Sequence, residues 1–168
     1  DRVYQINLAI AGIAIGTVSL PVLSKAFKTK NVKKISDIQN KSFELSVLFS
    51  VPASFGLILA SNEIVSALFG YGSFSLNNVE MTAAALKFFG YGVPAFALIK
   101  ILSNFFFARD NTKTPFYISI FIVFLNILIS VTFLNKIGFV IIPIATSIST
   151  WVGVFIYIYL LNKKKILL

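Results

Sequence analysis

Residues 116–134 read FYISIFIVFLNILISVTFL, a run without a single charged side chain. A helix of about 20 mostly apolar residues crosses a hydrocarbon layer about 30 Å thick. Four more runs of this kind follow the same pattern, at Tyr4–Leu23, Phe43–Ala60, Ala83–Phe107 and Phe139–Leu161. Inside lipid a spanning segment has to satisfy its own backbone hydrogen bonds, which a helix does. A closed barrel would instead show strands of about ten residues alternating strictly between apolar and polar, and no stretch here reads that way. The sequence therefore predicts an all-α polytopic transmembrane helix bundle with five spanning helices. Its composition agrees: 57% hydrophobic and 12% charged is far from the balance of a soluble domain.

The net charge of +9 would suit nucleic acid if the basic residues clustered on one folded face among aromatic stacking partners. They sit instead in the gaps between apolar runs. Lys25, Lys28, Lys30, Lys33, Lys34 and Lys41 fill the first gap, and residues 61–82 hold no Lys or Arg. Arg109 and Lys113 occupy the third gap, Lys136 the fourth, and Lys163, Lys164 and Lys165 the tail, giving eleven cations on one side against one on the other. Positive loops stay in the cytoplasm, so the chain enters its first span from the outer side. No nucleic-acid partner is expected. Cysteine and histidine are absent, which removes disulfides, thiol chemistry and the commonest zinc ligands, and composition implies no cofactor. With no initiator Met and no positively charged leader region, the sequence reads as an excerpt from a longer protein.

Within the runs the departures from apolarity carry the information. Gly12 and Gly16 stand at the spacing that lets another helix approach closely, and Pro21 with the following Val22, Leu23, Ser24 and Lys25 is expected to end the first run. The lysine-rich stretch 25–41 reads as a solvated loop, or as an amphipathic segment on the inner leaflet. Residues 64–74, apolar but half the length of a span, read as an interfacial turn and helix on the outer surface. In the third run Gly90, Gly92 and Pro94 interrupt the helix. Lys87 is placed to snorkel to the outer headgroups. Lys100 lies about 10 Å from the end of its run at 1.5 Å per residue, where a charge either snorkels or faces a bundle interior or a wet cavity. Asn126 and Ser130 share one face of the fourth span, and Thr146, Ser147, Ser149 and Thr150 form a polar belt in the fifth. These belts serve either for hydrogen bonds between helices or as oxygen donors to a small cation.

Enzymatic readings find no support in the residues. The acids Asp1, Asp37, Glu44, Glu63, Glu80 and Asp110 form no pair within a span that could work as acid and base. There is no histidine to activate a serine and no phosphate-binding glycine loop. Transport, a channel or a scaffold remain, and kinked spans with buried polar residues favour a mobile transporter.

Three segments resemble a known family. They are Asp1-Arg2 followed by Gly16-Thr17-Val18-Ser19-Leu20-Pro21-Val22-Leu23-Ser24-Lys25; Pro52-Ala53-Ser54-Phe55-Gly56-Leu57 followed by residues 64–74; and Phe106-Phe107-Ala108-Arg109-Asp110-Asn111-Thr112-Lys113-Thr114-Pro115. In this order they are similar to the MurJ/MviN lipid II flippases of the MOP superfamily, and the last is the most specific. The resemblance implies a fourteen-helix, MATE-like transporter of the bacterial inner membrane, with this chain supplying the eighth to twelfth helices as part of the C-terminal lobe. It implies lipid II as cargo, moved by alternating access through a cavity lined by arginines, with the missing helices of the same polypeptide and membrane lipids as further partners. Arg2 falls on an arginine expected to hold the diphosphate, a role that suits a guanidinium, and Lys100 is a second candidate for substrate contact. Some members bind Na⁺, and Asn126, Ile142 and Thr146 fall where those members supply ligands, with Ser130 where they carry an Asp. Rival readings are an exporter of other polyprenyl-linked oligosaccharides, a multidrug exporter, and a scaffold for cell-wall synthesis that transports nothing.

Overall fold

The computed structural model describes residues 14–70 and 76–163, and every regular element among them is helical. In chain order these are α1 (Ile15–Lys28), α2 (Val32–Leu59), α3 (Ser61–Phe69), α4 (Leu76–Phe107), α5 (Lys113–Ile137) and α6 (Ile141–Lys163), with a 3₁₀ turn at Gly138–Val140 between the last two. Three helical stretches are long and apolar enough to cross a membrane, Val32–Leu59, Asn77–Phe107 and Lys113–Lys163. The last of these turns back at Gly138, whose φ of 75° suits glycine, and becomes the antiparallel pair α5 and α6. The chain is thus an all-α, multi-pass membrane protein. The outer part of the first run lies outside the described residues.

Two expected boundaries move. The first helix does not close over residues 21–25: α1 runs through Pro21 to Lys28, because Leu23 and Ala26 are buried in the core and one lost backbone bond is tolerated where neighbouring helices pack. The loop expected over 25–41 shrinks to a turn at residues 29–31. Lys30 takes a left-handed φ of 52°, the Asn31 side chain accepts a hydrogen bond from the Lys34 N–H at 3.0 Å, and α2 begins at once. Ile35, Gln39, Ser42 and Ser46, three or four residues apart, are buried on one face. That face carries the helical period through lysines that otherwise suggest a loop. The first part of the short apolar stretch falls in α3, which packs on α4 through Val65, and residues 71–74 lie outside the described residues.

α4 is the axis of the bundle, in contact with α1, α2, α3 and α6. Toward its C-terminal end Leu98, Ile101, Leu102, Phe105 and Phe106 join Leu23, Ile35, Val154 and Tyr157 in one core. The rings of Phe106 and Tyr157 are tilted at a centroid distance of 5.8 Å, within the favourable range for aromatic pairs. A smaller core of Leu57, Val65, Val79, Ala83, Leu86 and Val93 closes the half of the bundle next to α3. The surface that α2 turns inward is lined by Ser42, Ser46, Ser50 and Ser54, and small residues let helix backbones approach closely in lipid, where packing drives association. α5 behaves differently: it leans on α6 and buries only Pro115 and Ile118.

Candidate functional site

Proline at position 94 sets the polar chemistry of the bundle's middle. It has no N–H, so the carbonyl of Gly90, one turn earlier, loses its helical donor. Ser54 of α2 supplies the replacement, its hydroxyl donating to the Gly90 oxygen at 2.7 Å. Two donors from α6 reach the same stretch: the Ser147 hydroxyl donates to the Phe88 carbonyl at 2.7 Å and the Trp151 indole N–H to that of Tyr91 at 3.0 Å. Gly92 permits this approach, since a Cβ there would stand 2.7 Å from the Ser147 oxygen. A fourth bond ties α4 to α1, from the Asn104 amide to the Gly16 carbonyl at 2.8 Å. Gly16 therefore does mark a close helix approach; Gly12 lies outside the described residues.

The second polar cluster joins α5 to α6. The Asn126 amide donates to the Thr146 hydroxyl at 2.9 Å, and that hydroxyl donates to the Ile142 carbonyl at 2.8 Å. Asn126, Ile142 and Thr146 are thus brought together as one chain of contacts. Ser130, one turn along α5, has its hydroxyl oxygen buried without a hydrogen-bond partner. These atoms are oxygen donors of the kind that hold small hard cations, and the unpartnered Ser130 oxygen leaves capacity for one more contact. All of these groups are neutral.

Lys100 stands elsewhere. Its side chain is exposed on the described helices, one turn before Asn104 and so near the α1 contact. It joins neither polar cluster; its own carbonyl accepts the Ser103 hydroxyl at 2.9 Å. Arg2 lies outside the described residues. At the C-terminal end of α4 the Arg109 guanidinium sits 4.5 Å from the centre of the Phe27 ring, a cation–π contact that fastens the end of α1 to the turn before α5. Partial burial lowers the Arg109 pKa, yet arginine keeps its charge. In the same turn Asp110 is left-handed, with φ of 57°. The Asn111 side chain accepts from the Thr114 N–H at 3.1 Å and donates to the Thr114 hydroxyl at 3.0 Å, which starts α5. Within the Arg-Asp-Asn-Thr-Lys-Thr-Pro stretch, Arg109 thereby serves as clamp, Asp110 as turn, and Asn111 with Thr114 as the link into α5.

Sequence reasoning missed the role of Ser54. The signal was Pro94, which names Gly90 as the carbonyl in need; the donor comes from a helix 36 residues away and has no local signature.

The whole chain, residues 1–168, matches the family model described as "Lipid II flippase MurJ". Among curated relatives it is 34% identical to "Probable lipid II flippase MurJ" of Rickettsia prowazekii (strain Madrid E), over 99% of this chain and 33% of that protein. It is 33% identical to the protein of the same description from Thermotoga maritima, over 97% of this chain and 33% of that one. Among solved structures it superposes on "Lipid II flippase MurJ, inward closed conformation" with a TM-score of 0.85 at 26% identity, covering 96% of this chain and 34% of that one. The chain spans about a third of the length of these proteins. A bundle of long apolar helices with prolines inside three of them, its neutral polar clusters and a family match along residues 1–168 lead to one assignment: this chain belongs to the lipid II flippase MurJ family.

Proposed function

We propose that the parent polypeptide moves lipid II, the polyprenyl-diphosphate-linked precursor of peptidoglycan, across the bacterial inner membrane by alternating access, and that this chain forms part of its C-terminal lobe. Transport rather than catalysis suits a chain without an acid–base pair in its spans. The observation that carries the reading is Lys100, a cation exposed on the bundle about 10 Å inside the end of α4. A charge at that depth is costly against lipid and favourable against a wet cavity or an anionic cargo. Arg2, from the start of the chain, would add a guanidinium suited to paired hydrogen bonds with a diphosphate.

The test is exposure of lipid II at the outer leaflet of flippase-depleted cells that express the intact parent. The expected result is rescue by the unaltered protein and at least tenfold weaker rescue by equally abundant Arg2→Ala, with Lys100→Ala intermediate. Full rescue by both variants would remove these residues from the site. Failure of the unaltered protein to rescue would favour export of another polyprenyl-linked saccharide.

Na⁺ is the coupling ion that the α5–α6 cluster supports, with Asn126, Thr146, the Ile142 carbonyl and Ser130 as its donors. Without a carboxylate at Ser130 its hold is weak. Thermal unfolding of the parent should rise with Na⁺ over K⁺ only at high concentration, and Ser130→Asp should lower the concentration required. A parent indifferent to Na⁺ at every concentration would rule this out.

A further inference from the structure

An open groove of about 490 Å³ runs between α1 and α2. Its walls are apolar, with Val18 and Val22 on α1 facing Ile38, Leu45 and Phe49 on α2, and Lys41 is the cation in its lining. The walls are open: Val18 is 71% and Phe49 49% exposed. Neither lysine nor a row of apolar side chains is unusual in such a protein; their depth is what matters here. α2 has 28 residues, and about 20 suffice to cross the hydrocarbon layer. If its outer end, next to α3, meets the outer boundary, the surplus of about eight residues falls at the lysine-rich end. The inner boundary of the hydrocarbon then passes near Asn40 and Lys41. Lipid phosphates lie at that level, and a lysine there can send its ammonium into the headgroups while its stem follows the apolar wall. Below it Lys25, Lys28, Lys30, Lys33 and Lys34 surround the α1–α2 turn, with Asp37 the acid nearest in sequence. Glu44, one turn deeper on α2, does not line the groove. The potential at the groove mouth is therefore positive where the cytoplasmic leaflet is negative.

We propose that this groove holds one anionic phospholipid of the cytoplasmic leaflet, with an acyl chain along its apolar walls and its phosphate on Lys41. The site depends on the orientation read from the charge pattern and not on which solute the parent moves. A bound lipid there would brace α1 against α2 on the side away from α4.

The test uses the intact parent in vesicles of phosphatidylethanolamine and phosphatidylglycerol carrying a trace of phosphatidylglycerol with a photoreactive acyl terminus, and cross-links are mapped by mass spectrometry. Labelling is expected on the groove walls of α1 and α2. It should fall at least fivefold in Lys41→Gln and in Val18→Trp, which fills the groove, and persist in Lys41→Arg. Lys41 and Val18 are both exposed, and thermal unfolding of each variant checks that the fold is kept. Equal labelling by a phosphatidylcholine probe, labelling indifferent to Lys41→Gln, or a groove left unlabelled because another helix of the parent covers it would each overturn the proposal.

Discussion

α4 and α5 are both long apolar helices, yet one lies at the centre of the bundle and the other on its flank. α4 buries Val93, Ala95, Ala97, Ile101, Leu102, Phe105 and Phe106. α5 exposes Phe116, Tyr117, Phe121, Val123, Phe124, Ile127 and Leu128, although its sequence is the more uniformly apolar. In water the reverse would hold, because apolar surface there seeks the core. In lipid that drive is lost, and glycine, serine and buried polar partners mark the helix that packs. The largest expected effect follows from this. Gly92→Leu would push side-chain atoms into Ser147 and Phe96 and should destabilise the parent by about 1–3 kcal/mol or more, as overpacking does. Thermal unfolding in detergent measures it, and a Gly92→Leu protein as stable as the original would break the contrast between the two helices.

The next effect isolates one bond. Ser54→Ala leaves the Gly90 carbonyl without its donor in a buried seam, at a cost of about 1–2 kcal/mol. If Pro94 is the reason that carbonyl needs Ser54, then Pro94→Ala restores a helical N–H, and Ser54→Ala should cost much less in that background. A double-mutant cycle reads the coupling. Equal costs in both backgrounds would mean that Ser54 matters for packing alone.

Hydropathy made the helices legible, and the proline and glycine positions marked the stretch of α4 that takes hydrogen bonds from α2 and α6. Less was legible where two signals competed. Lysines between 25 and 41 hid a buried period of Ile35, Gln39 and Ser42, because charge density and helical period were read from the same residues. Asn126 and Thr146 could be paired through the family resemblance, whereas the Ser54 donor to Gly90 could not, since nothing local ties a serine to a carbonyl on a distant helix. Lys100 was recognised as a displaced charge, and its exposure on the described bundle emerged only from the fold.

A smaller effect is expected at the α5–α6 contact. Asn126→Leu removes the amide that reaches Thr146 and should cost about 0.6 kcal/mol, the average for a hydrogen bond between membrane helices. Loss of a bond on the flank then weighs less than loss of one in the α4 seam, and the same unfolding measurement ranks them.

The smallest effect tests the environment of α5 itself. Val93 is 0% and Val123 57% exposed, so the same substitution to alanine at both positions compares a protein-packed site with an open one. Val93→Ala should cost about 1–3 kcal/mol from lost contacts and the cavity left behind. Val123→Ala should stay within about 0.5 kcal/mol, as for other substitutions outside packed features, because lipid chains refill the space that a methyl group vacates. The curated relatives are about three times as long as this chain, so about two-thirds of such a polypeptide remains to be placed around these helices. A cost at Val123 equal to that at Val93 would therefore mean that other helices of the parent, and not lipid, cover this face of α5, and would make α5 a second packing surface.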